Sequence, residues 1–338
     1  MEVAVAEDPA LDGASLERFL AQEEPDRGPT VTSFRPISGG YSRLSALADV
    51  RWADGTEETF VLRADPPPGT GVFDSDRDDE ARLLRALHGK LPMNTPRLRW
   101  YDGTGEYFGQ KCLIVDFFSG RPLPEIVAAD GVEAATEIFV DTIAGIHTGP
   151  VDLLPAELPR PPDWDTYVDG LVDLLGRLDS TVSDSSPALH YAAAKLRRHR
   201  PPPVPLTIVH GDNQPANILV PASGEVLMID WEFARIGDPR EDLGYYSHLP
   251  VPPNLYEADP KGFLARYREK TGFTEEQVNP DTVAYFYILG MARLLGQMFA
   301  AADALAHGRP RGVMATYMMN GTAATTRAFV DIARQLKA

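Results

Sequence analysis

The chain has 338 residues, of which 43% are hydrophobic and 24% charged, so it is long enough to bury a large core. Its formal net charge of −17 argues against nucleic acid and anionic membranes as partners, because both bind basic patches. The single cysteine, Cys112, excludes an internal disulfide and CxxC zinc clusters, and its apolar neighbours predict a buried thiol rather than a nucleophile.

The N-terminal region lacks the basic and apolar segments of a signal peptide. Residues 1–28 are acidic and are predicted to form an N-terminal extension with one short helix over 11–21. The longest apolar stretch, Val283–Met298, contains Arg293 and Gln297 and therefore predicts a buried helix rather than a membrane span. We expect a soluble, cytoplasmic protein, and the sequence leaves its oligomeric state open.

Residues 29–118 carry strand patterns joined by short turns, which predicts an antiparallel, β-rich N-lobe. One helix is predicted over 78–87, where apolar residues recur at helical spacing. The predicted strands cover residues 34–37, 44–52, 59–64, 97–101 and 111–118.

Residues 119–338 are predicted to form a mainly helical C-lobe, so the fold class is α+β. The predicted helices cover residues 138–147, 164–178, 188–198, 261–270 and 281–304. Asp165, Asp169 and Asp173 lie off the apolar stripe of the second of these helices. This acidic face could recruit a cationic acceptor such as an amino sugar, or it could simply be a solvated surface.

A glycine pair lies at the turn between the first two predicted strands, within Ser38, Gly39, Gly40, Tyr41 and Ser42. Glycines permit positive φ and let backbone N–H groups approach phosphate oxygens. The turn is therefore a candidate phosphate-binding loop, although an ordinary tight turn would have the same composition.

Polar residues cluster around a predicted hairpin in the C-lobe. If the hairpin centres on Ser223–Gly224, Asn217 and Asp230 face each other at its open end, with Asp212 five residues before Asn217. Such oxygen-rich groups suit Mg²⁺, which keeps waters and shares phosphate oxygens.

The spacing of these three residues is that of a kinase catalytic loop and its metal-binding Asp. In that layout Asp212 orients the acceptor hydroxyl and accepts its proton, while Asn217 and Asp230 hold the metal. The alternative is an Asx-rich turn that caps the hairpin.

Three motifs appear in the order His210-Gly211-Asp212-x-x-x-x-Asn217, Ile229-Asp230-Trp231 and Gly237-Asp238-Pro239-x-x-Asp242-Leu243. Together they resemble the aminoglycoside phosphotransferase and choline kinase family, and the resemblance extends over about residues 30–335. It implies a protein-kinase-like bilobal fold, ATP or GTP as co-substrate, Mg²⁺ and a small-molecule hydroxyl acceptor. It does not identify the acceptor.

The resemblance also assigns positions in the N-lobe. Arg63 stands where the family usually has a phosphate-binding Lys, a departure that changes a point charge into a planar fork of donors. Glu80 is the favoured partner carboxylate, with Asp78 and Asp79 as rivals. Asp116 and Phe118 fall in the lobe-connecting hinge, where family members bind the purine through the main chain.

Other conspicuous groups are predicted to be structural. We expect His210 to bond nearby backbone, His147 to pack and cap its helix, and Asp238 and Asp242 to cap a helix and brace the catalytic loop.

Three other functions compete with that of a small-molecule kinase. A non-catalytic pseudokinase is favoured only by Arg63. A protein kinase is disfavoured because no extended activation segment follows Asp230. A metallophosphatase would need further metal-binding His and Asp residues.

Overall fold

The computed structural model describes residues 11–37, 44–65, 76–179, 186–247, 255–308 and 322–334. The chain divides into two compact units. The sheet unit comprises Met1–Arg85 and Pro96–Phe118, and the helical unit comprises Ala86–Thr95 and Ser119–Ala338. Each unit has its own hydrophobic core.

The sheet unit is built on a five-stranded antiparallel sheet with strand order β1-β2-β3-β5-β4. Its strands are β1 (Thr30–Ile37), β2 (Leu44–Arg51), β3 (Glu57–Ala64), β4 (Leu98–Asp102) and β5 (Cys112–Asp116). Helix α1 (Gly13–Glu23) precedes the sheet, and helix α2 (Arg77–Leu87) lies between β3 and β4 in the chain. The predicted antiparallel N-terminal sheet is therefore confirmed.

Helix α1 is part of the core of the sheet unit. Asp12 caps the helix by accepting the N–H of Ser15 at 2.8 Å. Leu16, Phe19 and Leu20 are buried among the apolar residues of the strands. Because burying a side chain of this size contributes roughly 1.5–3 kcal/mol, this helix is integral to the unit rather than a loose extension.

The helical unit contains two small groups of antiparallel strands among its helices. Its helices are α3 (Leu123–Asp130), α4 (Val132–His147), α5 (Trp164–Asp179), α6 (Pro187–Arg198), α7 (Arg240–Ser247), α8 (Leu255–Ala258), α9 (Pro260–Thr271), α10 (Pro280–Ala306) and α11 (Thr322–Ala333). Its strands are β6 (Arg121–Pro122), β7 (Thr207–Val209), β8 (Ile218–Val220), β9 (Leu227–Met228) and β10 (Arg235–Gly237). The mainly helical C-terminal part is confirmed.

Helix α10 forms the centre of the helical core, where its apolar residues pack with those of α5 and α6. By length and composition alone it could cross a membrane, but 59% of its most apolar window is buried inside the protein, as expected of a core helix. Helix α7 crosses it closely at Gly244, where a Cβ would lie 2.6 Å from the backbone nitrogen of Tyr287. Glycine is required at this crossing because any side chain would collide with backbone.

The structure differs from the sequence prediction in one segment and in several helices. Residues 86–95, placed by the sequence in the N-lobe, belong to the helical unit, where Asn94 forms an isolated bridge with Leu227. Helices α3, α7, α8 and α11 were not predicted. The first three are short, at four to eight residues, and α3 begins directly after a Pro, so little helical periodicity was available to indicate them. Helix α11 has twelve residues and was missed from the sequence.

Candidate active site

The loop around Asp212 begins at the end of β7, which pairs with β10 in an antiparallel ladder. Gly211 has φ +84°, and a Cβ there would lie 2.8 Å from the side chain and backbone oxygen of Phe233. Only glycine combines this backbone conformation with so little space. The chain can therefore turn tightly between His210 and Asp212.

Asp242 of α7 holds the start of this loop. Its Oδ2 accepts the backbone N–H of His210 and its Oδ1 accepts that of Gly211, both at 2.8 Å. Burial would raise the pKa of the Asp242 carboxyl, but the hydrogen bond and charge of His147 outweigh it and hold the pKa below its usual value. The bracing role expected of Asp242 is thus present.

The two buried histidines have different surroundings. The His210 ring makes two hydrogen bonds to backbone. Its Nε2 lies 3.0 Å from the carbonyl oxygen of Ile229, and its Nδ1 accepts the N–H of Asp212 at 3.2 Å. Because a carbonyl only accepts, Nε2 carries the proton and both ring nitrogens are engaged with backbone, as predicted. His147 does not cap its helix: its ring joins Asp242 (3.0 Å) to the Tyr267 hydroxyl (2.7 Å).

The Asp212 carboxylate accepts hydrogen bonds from three side chains. The amide of Asn217 donates to Oδ2 at 2.9 Å and also to the Asp212 carbonyl at 2.8 Å. Gln214 donates to both carboxylate oxygens, at 3.1 and 3.3 Å. The hydroxyl of Tyr245 donates to Oδ1 at 2.6 Å. The sequence brought Asp212 and Asn217 together correctly, but it indicated neither Gln214 nor Tyr245.

The hairpin after Asn217 is shifted by one residue from the predicted register. Ile218 pairs with Met228, and the N–H of Ile229 donates to the carbonyl of Asn217 at 2.9 Å. Asn217 is therefore opposite Ile229, not Asp230. Asp230 is the next residue, at φ +69°, where the chain leaves the hairpin.

The conformation of Asp230 marks it as unusual. It is the one non-glycine residue with positive φ in the part of the chain that the structure describes. Asp tolerates this region better than most residues, but such strain persists mainly where the surrounding structure imposes it. Strained residues of this kind cluster at functional sites.

The donors near the hairpin suit a magnesium ion shared with phosphates better than an all-protein metal site. Within the described ranges no group of three or more His, Cys, Asp or Glu residues is arranged to hold a metal. Mg²⁺ is commonly bound by one or two carboxylates together with substrate phosphates and waters. Asp230 and the amide oxygen of Asn217 fit that requirement.

Asp238, the other acidic residue of the motif that contains Asp242, makes structural contacts. It is buried, accepts the indole N–H of Trp164 at 2.6 Å, and forms an ion pair with the buried Arg240 at 2.7 Å. The backbone N–H of Arg240, the first residue of α7, donates to its Oδ1 at 2.9 Å. Asp238 therefore joins α5 to the start of α7, in keeping with the predicted capping role.

The acidic face of α5 is largely neutralised by arginines. Asp173 pairs with Arg197 at 2.9 Å, Asp165 pairs with Arg200 at 3.1 Å, and Asp169 also contacts Arg200. These pairs are exposed and contribute little to stability. They reduce the negative charge that could attract a cationic acceptor. The interpretation of this face as an ordinary solvated surface is therefore favoured.

In the sheet unit, the predicted partner of Arg63 is present. Glu80 accepts from Arg63 Nη1 at 3.0 Å and also forms an ion pair with the buried Arg77. The rivals bind elsewhere: Asp78 pairs with Lys111 at 2.6 Å, and Asp79 pairs with an arginine one turn along α2. Arg77, which the sequence did not indicate, is held in turn by Asp65 at 3.2 Å.

The predicted hinge lies at the end of β5, and its first residue is well fixed. The N–H of Asp116 donates to the carbonyl of Arg97 at 3.1 Å, and its side chain accepts from Arg99 at 2.8 Å. Phe118 is partly buried and is the last residue of the sheet unit. The predicted phosphate loop with Ser38, Gly39, Gly40 and Ser42 lies outside the described residues.

Comparison with known proteins places the chain in a family. A model of the phosphotransferase enzyme family matches residues 33–280. The chain belongs to this family. The match covers all three motifs around Asp212, Asp230 and Asp242, and in the sheet unit it begins within β1 and covers β2–β5.

Several solved structures have a fold similar to that of this phosphotransferase. A protein of Ralstonia eutropha JMP134, described as a candidate aminoglycoside phosphotransferase, superposes with a TM-score of 0.70 at 19% identity, covering 97% of this chain and 99% of the other. Macrolide 2'-phosphotransferase MphH from Brachybacterium faecium gives 0.59 at 19% identity, with the same coverage. Aminoglycoside phosphotransferase APH(4)-Ia, in a ternary complex with AMP-PNP and hygromycin B, gives 0.64 at 17% identity, covering 95% and 98%. At these identities the likeness establishes the kinase-like fold.

The lone thiol of this phosphotransferase is buried in the core of the sheet unit. Cys112 is fully buried in β5, and burial raises the pKa of its thiol far above the usual value. A thiol in this state is not a nucleophile. The prediction of a packing role is confirmed.

Proposed function

We propose that this phosphotransferase uses Mg²⁺ and ATP or GTP to transfer the γ-phosphoryl group to a hydroxyl of a small molecule. The observation that carries the proposal is the arrangement at Asp212. Its carboxylate and carbonyl hold the Asn217 amide, and Asp230 follows the residue that pairs with Asn217. Support for the proposal is that Asp212 and Asn217 lie directly before the short hairpin β8–β9 and Asp230 directly after it.

In the proposed reaction, the Asp212 carboxylate orients the acceptor hydroxyl and takes its proton. The acceptor oxygen bonds to the γ-phosphorus as the bond from that phosphorus to the bridging oxygen breaks, and its electron pair leaves on the nucleoside diphosphate. When bound by Asn217 and Asp230, Mg²⁺ would offset the charge of the phosphates. Most of the acceleration should come from positioning and electrostatics.

The sheet unit is proposed to bind the nucleotide. Glu80 fixes the Arg63 guanidinium, which would contact the phosphates in place of the usual Lys, and the main chain at Asp116 and Phe118 would contact the purine. The glycine pair at 39–40 is proposed to approach the phosphates with its backbone N–H groups.

The acceptor is proposed to be a small molecule, as it is for the aminoglycoside and macrolide phosphotransferases of similar fold. The neutralised acidic face of α5 gives no reason to prefer a cationic one. Nucleic acid and membranes are not proposed as partners because of the net charge of −17. A cytoplasmic location is the matching expectation.

The alternative is a nucleotide-binding module without catalysis, suggested by Arg63 in place of Lys. The ion pair of Arg63 with Glu80 speaks against it, because the guanidinium keeps the pairing expected of the Lys. Turnover would separate the two functions.

The test is nucleotide consumption with Mg²⁺ and ATP or GTP across a pool of hydroxyl compounds, followed by mass spectrometry of phosphorylated products. We expect Asp212→Asn to lower turnover by about 10²–10⁴-fold, because it removes the proton acceptor, while nucleotide still binds. Asp173→Asn, at an exposed aspartate, is the matched control. Equal turnover in the wild type and Asp212→Asn would overturn the assignment of Asp212.

A further inference from the structure

The carboxylate of Asp212 has no acceptor position left over. Its Oδ1 accepts from Tyr245 at 2.6 Å and Gln214 at 3.3 Å, and its Oδ2 accepts from Asn217 at 2.9 Å and Gln214 at 3.1 Å. A carboxylate has about four lone-pair sites, so these bonds fill them. A hydroxyl that is to give its proton to Asp212 must first displace one of these donors.

Tyr245 differs from the other two donors. Gln214 and Asn217 belong to the loop that carries Asp212, whereas Tyr245 comes from α7, 33 residues farther along the chain. It is the only hydroxyl among the three, and the residue is 36% exposed. A group of this kind can move aside without unfolding the loop.

Helix α7 itself is firmly fixed. Gly244 lies against the backbone of α10, Asp242 anchors the loop start, and Tyr246 is buried. The Tyr245 ring is therefore presented to Asp212 by a rigid support, and rotation about its own side-chain bonds is the movement available to it.

The tyrosine hydroxyl is a permanent donor. Desolvation of its hydroxyl end and the negative charge of Asp212 raise the pKa of Tyr245 well above its usual value. It remains protonated over the physiological pH range and cannot replace Asp212 as a base. A short bond from a hydroxyl to a carboxylate is also among the stronger hydrogen bonds in proteins.

We propose that the Tyr245 hydroxyl occupies the position on Asp212 that the acceptor hydroxyl takes during the reaction, and thereby keeps water from Asp212 when no acceptor is bound. The inference rests on the proposed function, because it presumes that Asp212 receives the acceptor proton. Tyr245 is thus a positioning residue that favours the acceptor over water.

The selectivity follows from binding energy. An acceptor contacts the protein with its whole molecule, and this energy can offset the loss of the bond between Tyr245 and Asp212. Water has only its own hydrogen bonds to offer and competes poorly with a phenol for the carboxylate. If water did take the position, its oxygen would bond to the γ-phosphorus, its proton would pass to Asp212, and the bridging bond would break with its electron pair on the diphosphate.

The experiment compares hydrolysis of Mg–ATP and Mg–GTP without acceptor in the wild type and Tyr245→Phe, which keeps the ring and removes the hydroxyl. We expect hydrolysis to rise about tenfold, as expected for loss of one competing bond to a charged group. The double variant Tyr245→Phe/Asp212→Asn should return to the wild-type rate or below. Tyr191→Phe, at a half-buried tyrosine packed on the helical core, is the control and should leave hydrolysis unchanged.

For the wild type and each variant, nucleotide affinity is measured by calorimetry and stability by thermal unfolding. A rise in hydrolysis at unchanged nucleotide affinity and unchanged unfolding temperature separates loss of the hydroxyl from loosening of the fold. Hydrolysis in Tyr245→Phe at or below the wild-type rate, with nucleotide affinity intact, would overturn the inference and leave the proposed kinase function standing. Absence of nucleotide binding in the wild type would overturn the proposed function, and the inference with it.

Discussion

A buried carboxylate in each unit holds a proposed functional group, but the two carboxylates hold different kinds of groups. In the helical unit, Asp242 accepts two backbone N–H groups at the start of the loop that carries Asp212. In the sheet unit, Glu80 binds the guanidiniums of Arg63 and Arg77. Asp242 therefore fixes the path of the main chain, and Glu80 fixes a side chain.

The difference predicts different consequences of losing each carboxylate. Backbone donors that lose a buried partner cannot turn to solvent, so the loop must move or remain unsatisfied. An arginine side chain is long and flexible, so its guanidinium can reorient toward water when its partner is lost. Arg63, whose side chain is 16% exposed, can do this more easily than the fully buried Arg77. Loss of the Asp242 carboxylate should therefore lower both stability and turnover strongly, whereas loss of the Glu80 carboxylate should lower stability less and weaken nucleotide binding.

The largest effect is expected for Asp242→Asn. One carboxylate oxygen becomes an NH₂ group that faces an N–H donor, so a backbone N–H of His210 or Gly211 is left unsatisfied in a buried place. We expect the free energy of unfolding to fall by about 3–5 kcal/mol and turnover to fall with it. Chemical denaturation and steady-state kinetics would measure the two losses.

Asp173→Asn, which changes an exposed ion pair, is the control for Asp242→Asn and should alter the stability by less than about 1 kcal/mol. If both variants were equally stable, Asp242 would not brace the loop in the way that the hydrogen bonds indicate.

The sequence predicted much of the helical site because its signals are local. Asp212 and Asn217 are five residues apart, and Asp230 follows the second strand of the hairpin β8–β9, so local spacing already places Asp230 next to the residue that pairs with Asn217. The register was wrong by one residue, because the sequence does not fix where within residues 221–226 the chain turns. Tyr245 was missed because a helix of eight residues brings it to Asp212 from a distant part of the chain.

The sheet unit was harder to predict at the level of its side chains. The strand patterns of the sequence predicted the sheet, and the position of Glu80 on the apolar face of α2 favoured it over Asp78 and Asp79. The buried Arg77 had no such signal, because a charged residue at a helix start is expected to be solvated. Only the fold shows that Glu80 and Asp65 hold it in the interior.

A smaller effect is expected for Glu80→Gln. The variant keeps the side-chain shape but removes the charge between Arg63 and Arg77, which should lower the free energy of unfolding by about 1.5–3 kcal/mol. The KM for nucleotide should rise more than kcat falls, because Arg63 loses its fixed position. Glu57→Gln, at an exposed pair with Arg51, is the control. A fall in kcat at unchanged KM would contradict a role for Glu80 in nucleotide binding.

The smallest effect is expected from lowering the pH, which isolates the contribution of the Asp242 charge to the free energy of unfolding. Because the folded pKa of Asp242 lies below the unfolded value of about 3.9, the unfolded chain binds more protons in the interval between them. The stabilisation is therefore fully present above about pH 4 and is lost as the pH falls through the folded pKa, at up to about 1.4 kcal/mol per pH unit. Urea unfolding between pH 3 and 7 should show the stability gap between the wild type and Asp242→Asn narrowing only at the acid end. A gap that stayed constant over this range would mean that the Asp242 charge contributes nothing, and that the carboxylate braces the loop through its shape and hydrogen-bonding geometry alone.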